Sequence, residues 1–171
     1  MLYRKVESII RNWITNDKRA LLVDGARQVG KTFTIREVLK TQNCEYIEFN
    51  LLENPSIINL LAKCESVDEM ISSLSLFTDK SFKKGKTFIF FDEIQEFKEL
   101  STKIKFWVDE GSFRYILSGS LLGVEVKNIK SAPVGYLKTI TMYPLDFEEF
   151  LQLYNFTDEL KKLLYSSFVN K

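Results

Sequence analysis

"DGARQVGKTF", residues 24–33, stands between a run of aliphatic residues and a segment of helical periodicity, and its reading decides the fold. Its core, Gly25-Ala26-Arg27-Gln28-Val29-Gly30-Lys31-Thr32, fits the phosphate-loop pattern G-x4-G-K-S/T. That spacing has a physical reason. Gly25 and Gly30 permit backbone angles and a close approach that side chains forbid. Successive N–H groups then turn inward around phosphate oxygens, reinforced by the positive end of the helix that follows. Lys31 would reach the β- and γ-phosphates, and the Thr32 hydroxyl would ligate Mg²⁺. These residues, with Phe33 directly after them, are the expected ATP-binding segment. A chance match at ordinary glycine frequency is on the order of one per cent or less in a chain this long. The pattern alone does not establish hydrolysis.

Outward from the loop, strands and helices alternate. "RALLVDG" reads as a buried strand ending at a glycine turn, and residues 31–41 return to helical spacing. "CEYIEFNLL" is alternating and aromatic enough for a second strand. Residues 55–77 carry two helical patterns divided near "CESVDE", with Ser66 as a helix start. "FKKGK" is a turn before "TFIFF", the most strand-like run. "EFKELSTKIKFWVDE", residues 96–110, reads as a helix that Gly111 stops. "FRYILSG" and "YLKTITMY" are further strands. Residues 2–16 form an N-terminal helix, and "PLDFEEFLQLY", residues 144–154, opens a last one with Pro144 at its start. Such alternation implies a mainly parallel α/β sheet covered on both faces, with ligands outside the carboxyl ends of its strands.

Composition narrows the chemistry. The 171 residues suit one domain, and a net charge of +1 gives no bulk case for nucleic acid or membrane. No segment reads as a signal peptide or a membrane span, so a cytoplasmic protein is expected. There is no histidine, which excludes Ser-His-Asp triads, Cys-His pairs and His-metal sites. Cys44 and Cys64 are too few for structural zinc and are expected to be buried free thiols.

The second half of the site is expected in "TFIFFDEIQEF". Four apolar residues, 88–91, deliver Asp92 and Glu93 at a strand end. Asp92 suits Mg²⁺, which prefers oxygen ligands and keeps much of its water. Glu93, expected on the other side of the strand, would polarise a water for in-line attack. Gln95 would either bond that carboxylate or cap the following helix. "FRYILSGS" ends on Ser118, Gly119 and Ser120, where a hydroxyl would help position the water. Which serine acts depends on register.

"GARQVGKT", "FFDEIQ", "YILSGSLLG" and "YPLDFEEFL", in that order, resemble AAA+-type ATPases of bacteria and archaea in which an N-terminal ATPase domain precedes a C-terminal domain of unknown function. The resemblance runs from about Arg19 to Leu151. It implies a P-loop NTPase three-layer sandwich with a parallel five-stranded sheet, order 5-1-4-3-2. It also implies Mg-ATP binding by residues 25–32, metal and water roles for Asp92 and Glu93, and a sensor role at Ser118 to Ser120. Leu145, Phe147, Phe150 and Leu151 in the last motif are expected to pack.

One departure matters. Such ATPases usually complete the site with an arginine downstream of the sensor strand, supplied by a neighbouring subunit, whereas the last arginine here is Arg114. Relatives often carry "GR" where Gly135-Tyr136 stands. An arginine finger contributes roughly 10³ to 10⁵ in rate, so tight binding with slow hydrolysis is expected. Lys138 is a poorer substitute without a planar fork.

The expected organisation is a helix over 1–18, an α/β core over 19–143, and the start of a helical segment over 144–171 whose lid and C-terminal domain are absent; the alternative is a complete small protein. The leading function is an ATPase coupling ATP binding and slow hydrolysis to movement of an attached domain or partner. A nucleotide-gated binding module with negligible turnover is the alternative, and a small-molecule kinase is disfavoured by the missing lid arginines. ATP is the expected ligand. Self-association and a protein client are open alternatives as partners, as is DNA through "KSFKKGK", residues 80–86, and no membrane is expected.

Overall fold

The computed structural model describes residues 3–97, 99–120, 135–153 and 156–169. Leu2, Lys98, residues 121–123 of the third quoted motif, Tyr154, Asn170 and Lys171 lie outside the described residues.

Apolar runs four residues long, 20–23 and 88–91, form the centre of the molecule. Strands β1 (Ala20–Asp24) and β3 (Phe88–Asp92) are buried at every position, and β4 (Arg114–Gly119) at every position but its first. β2 (Tyr46–Asn50) and β5 (Leu137–Thr141) are only partly buried. That difference is the mark of a parallel sheet whose central strands are covered on both faces. The order is β2-β3-β4-β1-β5 and every pair is parallel. Read from the opposite edge this is 5-1-4-3-2, as the resemblance implies.

Strand alternation then divides the core in two. Leu21, Val23, Phe90 and Ile116 face one side, where they meet Val6, Ile10 and Trp13 of α1 (Lys5–Asn16) and Ile35, Val38 and Leu39 of α2 (Lys31–Thr41). Leu22, Ile89, Phe91 and Leu117 face the other, against α3 (Pro55–Lys63), α4 (Val67–Leu74) and α5 (Leu100–Glu110). Each large side chain fully buried here contributes roughly 1.5–3 kcal/mol relative to exposure. Three layers result, with one sheet between two helical faces.

Local signals set several boundaries. Ser66 accepts a hydrogen bond from Glu69 N at 3.2 Å and starts α4, while Gly111 ends α5 at φ 76°. Two expectations shift. Residues 94–96 form a 3-10 turn and Phe97 is buried in extended backbone, so α5 starts at Leu100 rather than at residue 96. The helix expected from Pro144 begins at Phe147 instead, as α6 (Phe147–Leu153). Its start is a reciprocal capping box: Glu149 N donates to Asp146 Oδ1 at 2.8 Å, and Asp146 N donates to Glu149 Oε2 at 3.2 Å.

The last motif's apolar residues differ in burial. Leu151 is buried and Phe147 stacks on Phe168 of α7 (Asp158–Val169), ring centroids 4.6 Å apart, but Leu145 and Phe150 are exposed. Both cysteines are free, Cys64 buried and Cys44 only half-buried. No helix among the described residues is long and apolar enough to cross a membrane.

Candidate functional site

The loop after β1 closes tightly because its glycines cannot be replaced. Gly25 has φ 147°, and a Cβ there would lie 2.1 Å from the Met142 carbonyl oxygen. Gly30 turns left-handed at φ 93° and delivers the chain into α2. Gln28, between them, is also left-handed at φ 64°. Such conformations in non-glycine residues cost on the order of 1–3 kcal/mol and collect where backbone must serve a ligand.

Lys31, the first residue of α2, folds its ammonium back into the loop. It donates to the carbonyls of Gly25 at 3.0 Å and Ala26 at 2.7 Å and is almost fully buried. Burial holds its pKa below the ordinary lysine value, against the upward pull of Glu93, Asp92 and Asp24 and with a further downward push from Arg27. A buried ammonium with neutral acceptors is a group that an anion would relieve.

Thr32, Asp92 and Ser118 meet at the same end of the sheet. Thr32 Oγ1 donates to Asp92 Oδ2 at 2.8 Å, and Ser118 Oγ and Glu93 N both donate to Asp92 Oδ1. Register explains the meeting: β4 lies between β1 and β3, so its carboxyl end falls between the loop and the acids. Ser118 is fully buried against Asp92, whereas Ser120 accepts a 3.5 Å contact from Arg27 Nε. The two serines therefore have different partners, the acid that ends β3 for Ser118 and the phosphate loop for Ser120.

Glu93 is not aimed by strand alternation as the sequence suggests. β3 ends at Asp92, and Glu93 takes a left-handed φ of 57° that turns it out of the strand. Gln95 settles its direction by donating to Glu93 Oε2 at 2.5 Å, while its own Oε1 accepts from Ser120 N at 3.3 Å. Gly119 makes room for that amide, since a Cβ would stand 2.6 Å from Gln95 Oε1. Gln95 thus bonds the carboxylate instead of capping a helix.

Arg4 and Glu149 were not foreseen. Arg4 Nη1 donates to Val29 O of the loop at 2.8 Å and Nη2 to Tyr143 O at 2.6 Å. Its Nε lies 3.3 Å from Glu149 Oε2, an ion pair with both side chains buried. Glu149 Oε1 also accepts from Lys5 N at 2.7 Å. The capping-box spacing in "DFEE" was a legible signal, but nothing local links it to Arg4. Beside this clamp a cavity of about 490 Å³ is lined by Arg4, Val29, Gly30, Phe33, Pro144 and Leu145. A hollow of about 540 Å³ against the β2 edge, near Cys44 and Lys80, holds none of the expected site residues.

Other expected residues lie elsewhere. Lys138 Nζ is 3.8 Å from Asp17 Oδ2, and its strand partner is Leu21, toward the amino end of β1. That places it away from the loop and unsuited to replace a downstream arginine. In the basic turn, Lys83 pairs with Glu45, Lys84 with Asp68, and Lys80 lies over the Tyr46 ring. The turn precedes β3, at the end of the sheet opposite the loop.

The donors fit a magnesium nucleotide. Two oxygens in contact, on Thr32 and Asp92, suit a hard cation, and a buried ammonium beside them suits a polyphosphate. Among the described residues no group of three or more His, Cys, Asp or Glu gathers to hold a metal, so phosphate and water would supply the other ligands.

Comparison with known proteins agrees with this geometry. A family profile described as an AAA domain matches residues 17–151, most of the chain. No curated protein matches. Solved structures match in number, 565 chains, which marks a common fold rather than one function. One of them is the crystal structure of the Pif1 helicase from Candida albicans, with TM-score 0.51 and 14% identity. The alignment covers 90% of this chain and 42% of that one, and at such identity it shows the fold alone.

Proposed function

The chain belongs to the AAA domain family, and on that premise we propose that it is an ATPase that binds Mg-ATP at the carboxyl ends of β1, β4 and β3 and hydrolyses it slowly. Nucleotide binding of P-loop ATPase type is what the family supports. The observation that carries the finer reading is the convergence of Lys31, Thr32, Asp92 and Ser118 within hydrogen-bond reach of one another or of the loop.

In this reading residues 25–32 wrap the phosphates and Phe33 with its neighbouring cavity receives the nucleoside. Lys31 exchanges the Gly25 and Ala26 carbonyls for β/γ-phosphate oxygens. Mg²⁺, when bound, neutralises charge on those oxygens. Thr32 and Asp92 would hold it, and Ser118 and Glu93 N keep the Asp92 carboxylate fixed. Glu93, oriented by Gln95, accepts a proton from the attacking water. The Glu93→Gln variant tests the assignment: phosphate release should fall by about 10²- to 10³-fold with ATP affinity retained. An unchanged rate would reject the role.

The same cycle would couple to movement of an attached domain or partner. We place residues 1–18 as a supporting helix, 19–143 as the α/β core and 144–171 as a helical segment packed beside it, in a cytoplasmic protein. Self-association, a protein client and DNA stay open as partners. A second reading, a nucleotide-gated binding module without appreciable turnover, draws on Arg114. It is the last arginine, and it is fixed to the carbonyls of Trp13, Ile14 and Asp17. That reading predicts ATP-dependent partner affinity with no phosphate release, measured by pull-down in the ATP and ADP states.

A further inference from the structure

We propose that Arg27, within the phosphate loop, supplies positive charge in cis at the terminal phosphoryl group, an assignment that rests on the phosphate-site reading above.

The other arginines are committed. Arg4 is clamped between Val29, Tyr143 and Glu149, and Arg114 holds the end of α1. Arg11 pairs with Glu7 and Arg19 with Asp17, while Arg36 grips both oxygens of Glu48. Arg27 is different. It is exposed, and among the described residues no carboxylate pairs with it and its one hydrogen bond is the 3.5 Å contact from Nε to Ser120 Oγ. Neither Nη atom has a partner among the described residues, and together they form a planar fork, the geometry that matches phosphoryl oxygens.

Its place is as telling as its freedom. Ser120 follows Gly119, which stands opposite Asp24 in the β1–β4 register. The Arg27 side chain therefore spans from the loop to the end of β4, where Ser120 N donates to the same Gln95 that holds Glu93. Lys31 stands four residues further along the chain. Two cations repelling each other across a short loop are an arrangement that an anion between them reverses to net attraction.

The step they would serve is hydrolysis. A water oxygen bonds to the γ-phosphorus as the bond from that phosphorus to the β,γ-bridging oxygen breaks. The electron pair stays on the bridging oxygen, now part of ADP. One water proton passes to Glu93, and inorganic phosphate leaves. Arg27 faces the γ-oxygens and the bridging oxygen, where negative charge accumulates.

The test is calorimetric titration of Mg-ADP, with and without aluminium fluoride, into the unaltered chain, Arg27→Ala and Arg27→Lys. ADP affinity sets each protein's own baseline, because ADP lacks the group Arg27 serves, and the gain that aluminium fluoride adds to that baseline is the readout. Aluminium fluoride, which mimics the planar phosphoryl group, should tighten ADP about 100-fold in the unaltered chain. Arg27→Ala should abolish that gain and Arg27→Lys should not restore it. Equal tightening in Arg27→Ala would overturn the assignment while leaving the phosphate site standing. Failure of the unaltered chain to bind ADP would overturn both. Mixing Arg27→Ala with Lys31→Ala separates cis from trans: the mixture should stay inactive in phosphate release, and recovered turnover would show that Arg27 acts on a second copy.

Discussion

Helix α1 is fastened at both ends by an arginine, and the two fastenings have different consequences. At its carboxyl end the Arg114 guanidinium donates to the carbonyls of Ile14, Trp13 and Asp17, and its face lies 4.4 Å from the Trp13 ring centroid and 4.8 Å from that of Phe88. Trp13 and Ile14 lie in the last turn of α1 and Asp17 is its C-cap, so these bonds cap the helix and their effect stays local. At the amino end Arg4 reaches away from its helix. One donor goes to the phosphate loop, another to the residue after β5's connection, and the third pairs with the acid that starts α6. The first fastening supports the fold; the second also ties the loop's shape to the helix that follows the sheet.

If that distinction is right, Arg4→Ala has the larger effect. It leaves Glu149 buried without its cation, which costs about 3–5 kcal/mol. It also frees Val29 O, so ATP affinity should fall by about tenfold, one lost hydrogen bond to a charged group. Chemical denaturation and calorimetric titration read the two losses separately. Arg114→Ala should cost about 2–3 kcal/mol from its charged hydrogen bonds and ring contacts, with ATP affinity unchanged in the folded protein. An affinity loss in Arg114→Ala equal to that in Arg4→Ala would erase the comparison. Glu149→Gln keeps an acceptor for Lys5 N and loses the charge; a destabilisation of about 1–2 kcal/mol is expected.

The smallest effect concerns acid. Asp17, at the Arg114 end, has its pKa lowered from 3.8 to about 2, first by its hydrogen bond to Arg19 and further by Lys138. A carboxylate depressed in the folded state stabilises fully above its unfolded pKa and loses that contribution as pH falls through the folded value. The thermal midpoint should therefore drop between about pH 4 and pH 2, and Asp17→Asn should flatten that part of the curve. A curve unchanged by Asp17→Asn would remove Asp17 from the acid response.

Sequence made one of these two ends much clearer than the other. The phosphate loop and the acids after "FIFF" are local patterns with fixed spacing, and the alternating strands oriented them toward one end of the sheet. Glu149 lies 145 positions from Arg4 and 144 from Lys5, and no periodicity links such partners. The capping box at Asp146 and Glu149 was written in the sequence, but the proline two residues before Asp146 drew the helix start to itself. Glu93 escaped for another reason: alternation stops where the strand stops, and the left-handed residue beyond it takes its direction from the turn.

The central claim is that Lys31, Thr32 and Asp92 grip a magnesium nucleotide together. Calorimetric titration of ATP, with Mg²⁺ and with chelator, into the unaltered chain, Lys31→Ala and Asp92→Asn tests it most directly. The unaltered chain should bind ATP, Lys31→Ala should lose at least about tenfold in affinity as a charged phosphate contact disappears, and Asp92→Asn should lose the advantage that Mg²⁺ confers. No heat with ATP in the unaltered chain, or equal affinity in Lys31→Ala, would contradict the account.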